Sequence, residues 1–234
     1  MTETQGRISR IAVITGVQDE ADAFMPAQPA ERSDSPFGAI RHLVHADKNI
    51  SVLCSGIGKV HAGAATSFIH ANLQPDLFLI IGTAGQVSEL SGDCFYLCES
   101  LQADYGTLEK FGEHDGFTHY DAGAWPIGPA NFAPFNAAPQ PAGLNLPDAR
   151  IATADYFVKC PERSGYLRDT LNADLVDMET AAVAQIAKLL DLPWAGIKAT
   201  TDKADGNSSG DFHANLEAAA RRAADSATRF IELL

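Results

Sequence analysis

Basic side chains, cysteines and long apolar runs are all scarce in this sequence of 234 residues. Seventeen Lys and Arg residues stand against 30 Asp and Glu residues, which gives a formal net charge of −13 at pH 7. This acid excess argues against nucleic acid or an anionic membrane as a partner, because both are bound through clustered Lys and Arg. The longest apolar run, around Leu77–Ile81, is far shorter than the roughly 20 residues that a membrane-spanning helix needs.

The few cysteines form no CxxC pair, and no Cys/His cluster has the spacing of zinc ligands. The first ten residues, MTETQGRISR, lack the apolar segment of a secretory signal. We therefore expect a cytoplasmic protein with no metal or cofactor, and cysteines that are reduced and buried. A cysteine nucleophile remains an open alternative. The four cysteines are Cys54, Cys94, Cys98 and Cys160.

Short apolar runs alternate with helical periodicity along the chain. Continuous rather than alternating hydrophobicity is typical of strands that are covered on both faces. Helical patterns follow Lys59, span Thr180–Leu190 and occupy the end of the chain. This alternation predicts an α/β fold with a largely parallel or mixed sheet. The clearest predicted strands are Ile11–Ile14, Ser51–Cys54, Leu77–Ile81 and Trp194–Thr200.

One stretch, about 106–148, lacks periodicity and is rich in Gly, Pro, Asn and aromatic residues. A long irregular stretch inside a compact domain is usually a functional loop, a lid or a mobile segment. We interpret it as an insertion within one domain that spans residues 1–234.

Two glycine-containing loops follow predicted strands. Ser55–Lys59 (SGIGK) precedes a helix, where glycines let a ligand approach the backbone and the helix N-terminus favours an anion. It is not a Walker A loop, and His61 stands where a dinucleotide fingerprint needs its third glycine. Gly82–Gly85 (GTAG) lies where open α/β sheets bind ligands. For both loops a plain turn is the alternative.

Three carboxylates are expected at the carboxyl ends of strands, and so at one edge of the sheet. These are Glu20, Glu179 and Asp202. Each alone could be a solvated turn or helix-cap residue, but their convergence indicates a site. Lys198 interrupts an apolar strand, and a buried lysine needs a carboxylate partner or a polar pocket.

These residues fall within blocks that resemble the nucleoside phosphorylase/nucleosidase superfamily, and within it the 5′-methylthioadenosine/S-adenosylhomocysteine nucleosidases. The resemblance runs in family order from about residue 11 to 231 and leaves out about 99–150. It implies a single-domain, three-layer α/β/α sandwich around a mixed, largely parallel, twisted sheet. The matching blocks are IAVITGVQDEADAF, SGIGKVHAGAATSFI, PDLFLIIGTAGQV with a following GD, TADYFV, LVDMETAAVAQIA, IKATTDKADG and FxxNL.

The resemblance implies hydrolysis of an N-glycosidic bond, with the three acids in separate roles. Glu20 matches the carboxylate that activates the attacking water, and Glu179 matches the residue that holds the ribose. Asp202, in a Thr201-Asp202 pair, matches the acid that protonates or hydrogen-bonds purine N7. Met178 matches the residue that packs beneath the sugar.

Further binding positions are implied in the same way. Phe157 matches the aromatic residue that stacks on adenine, and Val158 the residue whose backbone reads the base edge. Ile57 matches a wall of the pocket for the 5′-substituent, and Lys198 a position that supports the water and the glutamate. The loop beside the water and the base matches Thr83, Ala84 and Gly85.

The sequence favours a hydrolase over a phosphorylase, because phosphate binding usually needs arginine forks. Superfamily phosphorylases have Arg just before the Gly-[Ser/Thr] loop and after strand one, where this chain has Ile81 and an acidic loop. The expected partner is a small nucleoside, and a homodimer follows from the resemblance. Futalosine hydrolase, another purine nucleosidase or phosphorylase, and a non-catalytic nucleoside sensor remain alternatives.

Overall fold

The computed structural model describes residues 8–110, 116–205 and 207–234, and within them twelve strands and five helices. The strands are β1 Arg10–Thr15, β2 Glu31–Ser35, β3 Gly38–His45, β4 Lys48–Cys54, β5 Leu77–Gln86, β6 Cys94–Gln102, β7 Gly106–Leu108, β8 Phe117–His119, β9 Phe135–Asn136, β10 Asp148–Thr153, β11 Leu175–Asp177 and β12 Trp194–Asp202. The helices are α1 Gln18–Ala23, α2 Lys59–Leu73, α3 Pro161–Leu171, α4 Thr180–Leu189 and α5 Ser208–Glu232.

Ten of the described strands form one mixed sheet, in the order β11-β10-β6-β12-β5-β1-β4-β3-β2, with β9 beside β6. The central strands β4, β1, β5 and β12 are parallel, whereas β6 is antiparallel to β12. The long strand β5 also pairs antiparallel with β11, where Gly85 lies opposite Val176. This pairing closes β5, β12, β6, β10 and β11 into a ring.

Side chains of the central strands alternate between two apolar layers. In β1, Ala12 and Ile14 belong to the core on the side of α4, whereas Ile11 and Val13 belong to the core on the side of α5. Both faces are therefore buried, which explains why these strands read as continuous apolar runs. The predicted single-domain α/β sandwich with a mixed sheet is confirmed.

The cysteines are free thiols, but the expectation that all four are buried is wrong. Only Cys94 is buried; Cys54 and Cys98 are partly exposed, and Cys160 is exposed because it precedes the first turn of α3. Across the described ranges, no helix combines the length and the apolar character needed to cross a membrane. In the same part of the chain, no three His, Cys, Asp or Glu side chains are grouped so that they could hold a metal ion.

The irregular stretch contains only short elements in its described part. Strands β7 and β8 form a two-stranded sheet, and β9 pairs with β6. His119, at the end of β8, places its Nε2 atom 2.7 Å from the hydroxyl oxygen of Tyr166 on α3. Residues 111–115 lie outside the described residues, and the assignment of 106–148 as an insertion or lid stays a prediction.

Candidate active site

A cavity of about 450 Å³ opens where the chain leaves β1, β4, β10, β11 and β12 and along the end of β5. Eleven of the twelve residues proposed from the sequence line it, and Lys198 lies behind its wall. None of the described residues of 106–148 lines it. The proposed residues that line it are Glu20, Ile57, Thr83, Ala84, Gly85, Phe157, Val158, Met178, Glu179, Thr201 and Asp202.

Glu20 is almost fully buried, and four hydrogen-bond donors surround its carboxylate. Oε1 accepts bonds from the amide and the hydroxyl of Thr83, at 2.7 and 2.9 Å. Oε2 accepts bonds from the amides of Gly16 and Val17, at 3.0 and 3.2 Å. A side chain at Gly82 would collide with this carboxylate, since an added Cβ would lie 2.5 Å from its Cδ atom. The GTAG residues, which are part of strand β5, therefore hold Glu20 against the middle of that strand.

Glu179 lies beside Gly16, which follows β1, and faces the same cavity as Glu20. Its Oε1 accepts a hydrogen bond of 3.0 Å from the amide of Gly58, in the SGIGK loop. An added Cβ at Gly16 would lie 3.0 Å from Glu179 Cδ, so Gly16 separates the two glutamates at close quarters. Burial, together with the nearby charge of Asp177, raises the pKa of Glu179 to about 7.

Asp202 ends β12 and is held by its own local turn. Its Oδ1 accepts a 2.8 Å bond from the amide of Ala204, and its Oδ2 accepts a 2.9 Å bond from the hydroxyl of Thr201. Asn215 of α5 donates to the carbonyl of Thr201 at 2.8 Å and so fixes this turn to the helix. Asp202 thus presents a positioned carboxyl group to the cavity.

Lys198 has the carboxylate partner that its position in an apolar strand requires. Its Nζ atom lies 3.1 Å from Asp177 Oδ2, and both side chains are at most 2% exposed. Burial alone would lower the pKa of Lys198, but the charges of Asp177, Glu20 and Glu179 outweigh it and raise that pKa. The lysine therefore stays charged behind the two glutamates.

Asp177 follows the apolar pair Leu175-Val176 and precedes a helix, so from the sequence it could be either a helix cap or a ligand-binding group. In the structure it accepts bonds from the hydroxyl of Thr153 at 2.6 Å and from the amide of Thr180 at 3.1 Å, besides its ion pair with Lys198. A signal was available, because Lys198 demanded a buried acid and Asp177 is the acid that follows an apolar strand pair. The pairing itself depends on the β5–β11 closure, which local patterns do not show.

Aromatic and apolar groups form the rest of the cavity wall. Phe157 is 45% exposed, and its ring meets that of Phe212 edge to face at a centroid distance of 5.8 Å. Three lining residues near the start of α5 were missed: Ser209, Phe212 and His213. The FxxNL block that begins at Phe212 was the available signal. No arginine is among the described lining residues, where Lys159 and His213 are the basic side chains.

Comparison with known proteins shows which family the chain belongs to. A family model described as the phosphorylase superfamily matches residues 10–232. The chain belongs to the phosphorylase superfamily. Within that superfamily it is similar to the 5′-methylthioadenosine/S-adenosylhomocysteine nucleosidase of Bacillus licheniformis, with 31% identity over 197 residues, 79% of this chain and 81% of that protein. This member of the superfamily is therefore an N-glycosidase, a hydrolase of the nucleosidase branch.

Solved structures of superfamily members share the fold. The Helicobacter pylori 5′-methylthioadenosine/S-adenosylhomocysteine nucleosidase superposes with a TM-score of 0.82 at 22% identity, covering 97% of this chain and 99% of that one. The futalosine hydrolase of Helicobacter pylori gives a TM-score of 0.81 at 22% identity, with the same coverage. At this level of identity the likeness concerns the fold alone.

Proposed function

We propose that this superfamily member hydrolyses the N-glycosidic bond of a 5′-substituted adenine nucleoside, such as 5′-methylthioadenosine or S-adenosylhomocysteine, and releases adenine. The observation that carries the proposal is the meeting of Glu20, Glu179 and Asp202 on one cavity, each fixed by different donors. The nucleosidase relative of Bacillus licheniformis supports the substrate class.

Asp202 acts as the general acid. A purine leaves poorly as an anion, and a proton or strong hydrogen bond at N7 lets it leave neutral, which typically contributes about 10²–10⁴-fold to the rate. Thr201 and Ala204 fix the carboxyl group, and Gly85 keeps the neighbouring wall open, since an added Cβ there would lie 3.2 Å from Asp202 Oδ1. Phe157 stacks on the base, and the backbone of Val158 reads its edge.

Glu20 takes a proton from the water that attacks C1′, with Thr83 and Ala84 beside it. Glu179 accepts hydrogen bonds from the ribose hydroxyls and holds C1′ between the water and the acid. Met178 packs beneath the sugar, and Ile57 borders the 5′-substituent. The two carboxylates also stabilise the positive charge that develops on the ribosyl centre.

Cleavage is expected to be independent of phosphate. The described cavity wall has acids where a phosphate would need arginine forks, so phosphate would be repelled. Release of adenine should therefore proceed at the same rate with and without phosphate. Formation of ribose 1-phosphate would contradict the hydrolase mechanism.

The decisive experiment compares Asp202→Asn with Asp211→Asn, a matched change of an exposed acid in the first turn of α5. Asp202→Asn should lower kcat by about 10²–10⁴-fold at an unchanged melting temperature, whereas Asp211→Asn should retain kcat. Wild-type turnover in Asp202→Asn would overturn the assignment. Substrates are 5′-methylthioadenosine, S-adenosylhomocysteine and 5′-deoxyadenosine, with inosine as a control.

Futalosine hydrolysis is the second candidate. The resemblance to the adenine-specific nucleosidases leaves out about 99–150, so this stretch does not favour adenine nucleosides over futalosine. Futalosine therefore belongs in the same substrate panel. A higher kcat/KM for futalosine than for 5′-methylthioadenosine would assign the enzyme to that reaction.

We also propose a homodimer. Exposed apolar side chains lie on the first turn of α2 and on the irregular stretch: Val60 is 79% exposed, Trp125 77% and Ile127 69%. Burying them between two copies would remove apolar surface from water. Sedimentation equilibrium should give twice the mass of the chain, and a monomer at micromolar concentration would contradict the proposal.

A further inference from the structure

Two consecutive amides at the start of α2 point at two different carboxylates. The amide of Gly58 donates to Glu179 at 3.0 Å, and the amide of Lys59 donates to Asp155 Oδ1 at 2.7 Å. Gly58 has a φ of +100°, a backbone conformation that favours glycine. In this conformation the amides of Gly58 and Lys59 point toward Glu179 and Asp155. One backbone turn therefore links the ribose-side glutamate to the segment that leaves β10.

The side chain of Lys59 ties the same elements together a second time. Its Nζ atom lies 2.5 Å from Asp104 Oδ1, 3.3 Å from Gln102 Oε1 and 4.0 Å from Asp155 Oδ2. Asp104 in turn accepts a 2.9 Å bond from the amide of Asp155 through its other oxygen. One ammonium group thus neutralises two acids that come from the end of β6 and the end of β10.

The closest pair of this ion cluster is partly shielded from water. The side chains of Lys59 and Asp104 are 17% and 20% exposed, so their pairing is stronger than that of a surface ion pair, whereas Asp155 is 45% exposed. Without the lysine, Asp104 and Asp155 would face each other as unpaired negative charges. Their repulsion would act on the backbone of Asp155 itself, because that amide is bound to Asp104.

The segment that this cluster anchors forms one wall of the cavity. Residues Tyr156–Lys159 line it directly after Asp155, and Phe157 is 45% exposed with its ring resting against Phe212. Phe157 has little packing of its own to hold it in place. Its position therefore depends on the anchor two residues earlier in the chain.

We propose that Lys59 is a positioning residue for the active site. Through Asp104 and Asp155 it holds the wall segment 156–159 over the base, and through its own backbone turn it keeps the Gly58 amide on Glu179. This inference rests on the proposed function for its effect on adenine, although the clamp itself can be measured without turnover.

The test compares Lys59→Met with Lys188→Met, which removes the same charge from an exposed position on α4. Lys59→Met should raise KM and the Kd of adenine by about tenfold, with kcat within about threefold of wild type. Loss of a charge-assisted hydrogen bond typically costs enough free energy to weaken binding by about that factor. Lys188→Met should change neither. Lys59→Arg should restore KM to within about threefold.

A double variant tests the electrostatic cause. Lys59→Met with Asp104→Asn should raise the Kd of adenine no further than Lys59→Met alone, because the anchor is already lost in the single variant. Losses that add up in the double variant would overturn the clamp. Should Lys59→Met fail to fold, Asp104→Asn alone decides: a threefold or larger rise in the Kd of adenine supports the clamp, and an unchanged Kd overturns it.

Hydrogen exchange separates a failure of this inference from a failure of the proposed function. In Lys59→Met, amides of 155–159 should exchange about tenfold faster than in wild type, with no change in β1. Unchanged exchange overturns the clamp even if the enzyme cleaves nucleosides. Faster exchange in an enzyme that neither binds nor releases adenine supports the clamp and refutes the proposed function instead.

Discussion

Glu179 is the residue whose protonation is most affected by its surroundings. Because burial raises its pKa to about 7, it holds its proton at pH 6 and is ionised at pH 8. An ionised carboxylate is the stronger acceptor for ribose hydroxyls. We expect kcat/KM to rise about tenfold per pH unit below 7 and to level off above it.

Glu179→Gln provides the control for that pH profile. The variant should show no rise of kcat/KM below pH 7, because an amide does not titrate there. Its kcat/KM should also be lower by about 10²-fold or more, because the carboxylate is lost. Profiles of equal shape in wild type and variant would assign the titration to another group.

The second prediction for a single residue concerns Lys198 and the free energy of unfolding. Lys198→Met leaves Asp177 as a buried charge without its ion-pair partner, which should cost about 3–5 kcal/mol in the free energy of unfolding. Urea denaturation measures this cost. The control Lys188→Met loses only an exposed cation–π contact with Phe135 and should change the free energy of unfolding by less than about 1 kcal/mol. Lys198→Met with Asp177→Asn should recover part of the loss; equal instability in both would place the cause in packing.

At the scale of elements, the middle of strand β5 packs directly against the site. Gly82 has a φ of +144°, and an added Cβ would lie 2.5 Å from the carboxyl carbon of Glu20. Gly82→Ala should lower kcat about 10²-fold or more, since displacements near 1 Å have such effects. Gly38→Ala is the matched control, because Gly38 has a φ of +112° but no atom within 4 Å of its Cβ position. Equal activity losses in both variants would exclude the contact with Glu20 as the cause.

The sequence predicted the central strands well but not where β5 ends. The apolar run stops at Ile81, and GTAG reads as a turn, whereas the strand continues to Gln86 because β12 and β11 pair with it. Helix α5 begins at Ser208, earlier than the apolar pattern from Leu216 indicates, and its mostly polar first turns hide this start from the sequence. The strand pairings of β5 are long-range contacts, which local periodicity does not reveal.

The convergence of the three acids was expected for a reason that holds only in part. Asp202 does end a strand parallel to β1, but Glu20 lies in α1 and Glu179 follows β11, which runs antiparallel to β5. The closure of the sheet brings β11 to the same place. Residue types could therefore identify the site, while the route by which Asp177 and Glu179 reach it required the tertiary structure.

At the scale of the whole molecule, the site is formed by the segments that follow several strands and not by one element. A ligand that contacts the segments after β1, β4, β10, β11 and β12 should stabilise the fold as a unit. Adenine at about 100 times its Kd contributes about 2.7 kcal/mol, which corresponds to a rise in Tm of about 5–10 °C for a domain of this size.

Calorimetry checks this prediction. A single transition should shift as a whole with adenine, and the shift should shrink in Asp202→Asn, which lacks the acid that we propose binds N7. Two transitions, of which only one responds to adenine, would mean that the ring of β5, β12, β6, β10 and β11 unfolds apart from the rest.

The four donors around Glu20 have a consequence for how the reaction begins. A carboxylate has about four lone-pair directions, and Gly16, Val17 and Thr83 already occupy them. On the proposed mechanism, the attacking water reaches Glu20 by replacing one of these donors. The amide of Val17 has the longest of these bonds, at 3.2 Å, and it precedes the six-residue helix α1. On that mechanism the base is stored in a capped form, and release of the Val17 amide is the change that would open it to the water.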